Sequence, residues 1–279
     1  MVFALPITLS SRSRASGRVS PQRTALDECF AALRRGGRRA FVPYITAGDP
    51  SPEKTVDLLK GLEDAGADII EVGVPFSDPM ADGPVIQSSS QRALEQGVRL
   101  SNVLDIIGMA RLSTPIVLFS YLNPIIAAGR DVLDRAAESG CNGVLITDLP
   151  VGADPVREEW LGSGTLAFIR LVAPTTPVDR MRDIGRHGSG FVYLISRLGV
   201  TGVQDSLAAD LPQSIERLRG VTSLPICVGF GVSRADQATA VAKLADGVVI
   251  GSAIVRAAAE SVASAIVFAR EMRRAIDAA

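Results

Sequence analysis

Residues 68–84 read Asp68-Ile69-Ile70-Glu71-Val72-Gly73-Val74-Pro75-Phe76-Ser77-Asp78-Pro79-Met80-Ala81-Asp82-Gly83-Pro84. The first half is short, almost continuously apolar and closed by a glycine/proline turn, the pattern of a strand buried on both faces of a parallel sheet. Glu71 interrupts it. An ionised carboxylate without a partner there costs several kcal/mol, so Glu71 is expected to have a raised pKa or a bound polar partner, and either state suits a general acid–base. The second half is polar and rich in turn residues, which predicts that Asp78 and Asp82 stay solvated and ionised in an open state. The two acids would then take different roles. The same residues also fit a structural glutamate paired with an arginine and a turn aspartate bonded to backbone, because structural ion pairs shift pKa values as active sites do.

Outward from this stretch, short apolar segments alternate with amphipathic ones from residue 40 onward, the signature of repeated βα units and a parallel sheet. Strands are expected near 40–45, 69–74, 116–121, 143–147, 167–171, 191–196, 226–229 and 247–250, with helices such as 52–65, 130–137, 178–186, 211–219 and 234–243 between them. Eight parallel strands with right-handed crossovers close into a (β/α)8 TIM barrel whose reaction site lies at the carboxyl ends of the strands. The expected organisation is therefore α/β: residues 1–25 a disordered N-terminal extension, and residues 26–279 one barrel domain with an additional N-terminal helix near 26–35.

Composition removes several function classes. The 279 residues are 47% hydrophobic and carry 29 basic against 30 acidic side chains, so the chain shows no net electrostatic footprint for nucleic acid. Cys29, Cys141 and Cys227 are far apart and lack metal-site spacing, which reads as buried thiols rather than a disulfide framework or a zinc site. No apolar run approaches the ~20 residues of a membrane helix. The single histidine, His187, falls in the loop before the sixth strand, which leaves no histidine catalysis and no multi-histidine metal site. Lys54, Lys60 and Lys243 all sit in expected helices, so a Schiff-base mechanism has no candidate nucleophile. What remains is carboxylate and phenol chemistry. The first 26 residues hold Arg12, Arg14, Arg18 and Arg23, several serines and no acid, a composition shared by transit peptides and disordered tails.

Strand ends supply the remaining candidates. Tyr44 closes the first strand; Phe119, Tyr121 and Asn123 follow the third; Leu145 lies in the fourth with Asp148 at its rim. An aromatic and aliphatic lining suits a flat apolar ring, yet alternating spacing of this kind is also what a barrel core requires. Tyr193 alternates inward with Phe191 and Ile195, and a buried phenol normally finds a hydrogen-bond partner. Gly199 and Gly202 flank Val200-Thr201 in a loop that would close over the mouth. Gly229-Phe230-Gly231 after the seventh strand and Gly251-Ser252 after the eighth lie in the two loops where barrels commonly hold phosphate on backbone N–H groups. The full dinucleotide fingerprint is absent, because Arg234 stands at its third glycine, so a nicotinamide cofactor is not expected.

Residues 70–73 and 76–83, Ile-Glu-Val-Gly and Phe-Ser-Asp-Pro-Met-Ala-Asp-Gly, resemble the signature of the tryptophan synthase alpha subunit, the indole-3-glycerol phosphate lyase family. Residues 41–50 and 191–202 match that family's opening strand and its sixth strand with mobile loop, and the likeness runs from about residue 26 to about 257. The resemblance implies a (β/α)8 barrel that cleaves indole-3-glycerol phosphate to indole and glyceraldehyde 3-phosphate. It implies catalytic roles for Glu71, Asp82 and Tyr193, an indole pocket of Tyr44, Phe119 and Leu145, and substrate contacts from Thr201, Gly202, Phe230, Gly231, Gly251 and Ser252. It implies no cofactor or metal in this chain, and a pyridoxal-phosphate beta subunit as partner in an α2β2 heterotetramer, receiving indole through a tunnel. The compartment expected is the cytoplasm, or a plastid if the Arg/Ser-rich start is a transit peptide. Other readings left open are a stand-alone indole-releasing lyase, a non-catalytic phosphate-binding regulatory subunit, and another phosphate-sugar barrel such as an isomerase.

Overall fold

The computed structural model describes residues 23–195, 210–229 and 231–279. Strands β1 (Ala40–Thr46), β2 (Ile70–Gly73), β3 (Ile116–Ser120), β4 (Cys141–Ile146), β5 (Ala167–Val172), β6 (Val192–Ile195), β7 (Ile226–Gly229) and β8 (Gly247–Ile250) pair in chain order, all parallel. The Ala40↔Gly247 to Pro43↔Ile250 register between β1 and β8 closes the sheet into a barrel. The helices outside it are α2 (Pro52–Asp64), α3 (Pro84–Glu95), α4 (Leu100–Ala110), α5 (Leu122–Ala127), α6 (Val132–Glu138), α7 (Pro155–Gly162), α8 (Val178–Arg186), α9 (Leu211–Arg219), α10 (Ala235–Ala242), α11 (Ser252–Glu260) and α12 (Val262–Asp277). No helix among the described residues is long and apolar enough to cross a membrane.

Strand alternation divides the core in two. Phe41, Ile45, Ile70, Val72, Leu118 and Val144 point outward and pack with the helices, while Val42, Ile69, Val117, Leu145, Ile169 and Phe191 fill the barrel. The interior cluster also takes Leu26, Phe30 and Leu33 from α1 (Ala25–Arg35), residues at helical spacing that bring one apolar face against the barrel interior. The rings of Phe30 and Phe191 lie 5.8 Å apart. Helix α1 begins on a reciprocal cap: the Asp27 N–H donates to Thr24 Oγ1 (3.2 Å) and the Thr24 N–H to the Asp27 carboxylate (2.9 Å). Thr24 and Ala25, inside the expected extension, belong to the helix start, and residues 1–22 lie outside the described residues.

The barrel seam is fastened by charge. Arg273 on α12 donates to Asp68 (2.7 Å) and to Asp277 (2.6 Å), and Asp68 also accepts the Phe41 N–H at 2.9 Å, tying the last helix to the entry of β2 and to β1. Arg273 is buried, so each of its donors needs such an acceptor.

Candidate active site

Glu71 sits in the middle of β2, level with Tyr44 on β1 and Val117 on β3, and is 1% exposed. Neither carboxylate oxygen has a hydrogen-bond partner among the described residues, so none of the described arginines holds Glu71 as a structural ion pair. Burial alone pushes the group up to about 8, which keeps it protonated at neutral pH. Charges at Glu71 raise two buried neighbours in turn, the Tyr193 phenol and the Cys227 thiol, after burial itself. Tyr193 and Glu71 are thus close without a hydrogen bond between them.

Two glycines give the phenols their positions. A Cβ on Gly73 would overlap the Tyr44 hydroxyl, and one on Gly229 would overlap that of Tyr193. Each hydroxyl therefore lies directly over the backbone of the next strand, near its carboxyl end, which no other residue type permits. Tyr44 meets Phe119 edge to face, with centroids 5.2 Å apart. Leu145 is fully buried in the interior cluster, and Phe119 spans that cluster and a smaller one formed by Tyr44, Ile86 and Val255. Ile86 on α3 and Val255 on α11 escape sequence reasoning because helix periodicity marks them only as buried positions.

Asp82 departs from expectation. Asp78 is exposed as the turn-rich sequence suggests, but Asp82 is half-buried and burial pushes it up to about 6, with the nearby Tyr121 hydroxyl pulling it partly back. The cause is the path of the loop: the Ala81 N–H donates to the Tyr121 hydroxyl at 2.9 Å, which turns the next residue in toward the barrel, and Gln87 Nε2 donates to the Asp82 carbonyl at 2.8 Å. Asp82 also contributes to raising Tyr44 and Tyr193, so it faces the same space as Glu71.

Gly251 caps α11 and Ser252 is its first residue; both are half-buried, and a Cβ placed on Gly251 would touch the Tyr44 ring. Gly231 has φ +91 and open space around it. Thr201, Gly202 and Phe230, and the expected closing loop with Gly199, lie outside the described residues. Of the rim residues, Asp148 accepts the Leu122 N–H that starts α5 (2.7 Å), and exposed Asn123 lines a cleft of about 430 Å³ between the β2–α3 loop and helices α4 and α5. His187 closes α8, its Nδ1 2.8 Å from the Asp183 carbonyl. Cys141 and Cys227 are buried as expected, but Cys29 is half-buried, because α1 lies at the end of the barrel rather than within it.

A closed barrel that holds a desolvated glutamic acid with no hydrogen-bond partner among the described residues, and an aspartate at its mouth, is a (β/α)8 protein equipped for carboxylate acid–base chemistry. The family model described as tryptophan synthase alpha chain matches residues 30–277. The tryptophan synthase alpha chain of Caulobacter vibrioides is 48% identical over 235 residues, 82% of this chain and 85% of that one. The alpha chain of Synechococcus elongatus is 44% identical over 259 residues, covering 91% and 97%. Among solved structures, tryptophan synthase subunit alpha from Legionella pneumophila superposes with a TM-score of 0.83 at 35% identity, over 92% of this chain and 100% of that one. The chain belongs to the tryptophan synthase alpha chain family.

Proposed function

We propose that the chain cleaves indole-3-glycerol phosphate reversibly to indole and glyceraldehyde 3-phosphate, as the alpha subunit of a tryptophan synthase. The observation that carries this reading is Glu71, a carboxylic acid buried with no hydrogen-bond partner among the described residues and kept protonated by its surroundings. It gives its proton to indole carbon 3, and the ring becomes a cation whose N–H is met by the Asp82 carboxylate. The Glu71 carboxylate, or Tyr193 acting with it, then takes the proton of the side-chain hydroxyl. The bond from carbon 3 to that carbinol carbon breaks, its electrons restore the aromatic ring, and the aldehyde leaves. Proton count is unchanged over the cycle, so the reaction calls for no cofactor in this chain. Tyr44, Phe119 and Leu145 supply an apolar wall for the ring, and the backbone at Gly231, Gly251 and Ser252 offers N–H groups for the phosphate. Phosphate binding then orients the reacting bond.

A beta subunit carrying pyridoxal phosphate is the proposed partner, and its proposed effect on this chain is to order the loop that bears Asp82 and the exposed Met80. The test is indole release by purified chain with and without a beta subunit. Glu71→Gln keeps the shape and removes the proton, so turnover should fall by on the order of 10²–10⁴ with KM little changed. Glycerol 3-phosphate should compete with substrate and glycerol should not. Near wild-type turnover in the variant, or equal competition by glycerol, contradicts the reading.

A further inference from the structure

The loop that carries Asp82 is held by one phenol. Tyr121, 3% exposed at the end of β3, has its ring 5.1 Å from that of Phe76 at the start of the loop and its oxygen 2.9 Å from the Ala81 N–H near the other end. Asp82 is the next residue after Ala81, and its carboxyl and the same phenol shift one another's proton affinity, which makes them near neighbours. A phenol has one proton and two lone pairs, so it can accept from Ala81 and donate to Asp82 at once. Nothing in the acid–base scheme uses Tyr121, yet it touches the residues on both sides of the loop's turn.

We propose that Tyr121 is a positioning residue: its hydroxyl, accepting from Ala81 and donating to Asp82, holds the Asp82 carboxylate turned over the barrel mouth where the ring N–H of substrate arrives. This inference rests on the function proposed above and adds a residue to it. The phenol does more than orient. As a donor to the carboxylate it stabilises the charged form, against the burial that disfavours it. The other titratable groups facing Asp82 are Tyr44 on β1 and Tyr193 on β6, with Glu71 behind them and Asp148 on the far side of Tyr121. All are acids, so among the described residues none brings a positive charge to Asp82.

The experiment is Tyr121→Phe in the full chain, which keeps the ring against Phe76. The Asp82 carboxyl is titrated by its ¹³C chemical shift, and the pH profile of kcat/KM is taken with and without beta subunit. The Asp82 midpoint should rise by about one pH unit, the tenfold change in proton affinity expected when one charge-assisted hydrogen bond is lost, and the acid limb of the profile should rise with it. Activity lost near neutrality should return at higher pH. Fluorotyrosine at position 121, a more acidic phenol of nearly the same shape, should move the midpoint the other way. An unmoved Asp82 midpoint, or a loss of activity equal at every pH, overturns the proposal. Absence of any indole release by the wild-type chain would instead count against the proposed function, while the carboxyl titration still decides whether Tyr121 donates to Asp82.

Discussion

At the scale of single residues, the site is two carboxyls moved the same way by the same cause and left on opposite sides of neutrality. Burial lifts Glu71 to about 8 with nothing to offset it, and lifts the less deeply buried Asp82 to about 6, with the Tyr121 hydroxyl pulling it partly back. The chemistry needs Glu71 protonated and Asp82 ionised. Both conditions hold only between those values, so kcat/KM for indole-3-glycerol phosphate should be bell-shaped, falling below about pH 6 as Asp82 gains its proton and above about pH 8 as Glu71 loses its own. In Asp82→Asn the acid limb should vanish along with most of the turnover. A profile flat across this range would mean that neither acid titrates in the rate-determining complex.

At the scale of elements, each strand end serves the strand beside it. The Tyr193 hydroxyl on β6 occupies the space that a side chain on β7 would take, and Gly229 leaves that space free. Gly229→Ala should therefore displace Tyr193, and turnover should fall by on the order of 10², the cost of a misplaced group about 1 Å out of position. Tyr193→Phe keeps the ring and removes the hydroxyl. If the glycine acts only through that hydroxyl, the double variant should be no slower than the slower single variant, because two changes that remove one interaction are not additive. Multiplying losses in the double variant would give Gly229 a role of its own.

At the scale of the molecule, the unpartnered acid makes stability depend on pH. An unfolded glutamate titrates near 4.5 and the folded one near 8, so between those values the native state binds the extra proton and stability falls as pH rises. Below the unfolded value the contribution is fully present, and above the folded value it is gone. The span is on the order of a few kcal/mol. Glu71→Gln removes the dependence. Urea midpoints measured from pH 4 to pH 9 should then show the variant gaining on the wild type steadily through this window, and parallel curves would mean that Glu71 is hydrated or paired in solution. The same desolvation that suits Glu71 to catalysis thus lowers the stability of the barrel at neutral pH.

The sequence by itself determined the barrel, because eight apolar runs in βα alternation leave a parallel sheet few ways to close, and seven of the eight expected strands begin within one residue of the observed start. It also determined that Glu71 would be buried, since a single acid in a run of Ile and Val cannot face water. Only the tertiary structure decided what surrounds that acid. Whether an arginine reaches Glu71 depends on side chains from strands far apart in the chain, and the answer is that none of the described residues does. Asp82 shows the same limit from the other side. Its turn-rich neighbours point to solvent, and the Tyr121 hydroxyl, from 40 residues away by way of Ala81, turns it inward. Local composition sets whether a segment folds as strand or turn, whereas the electrostatics of a carboxyl is set by whatever the closed barrel brings within a few ångströms of it.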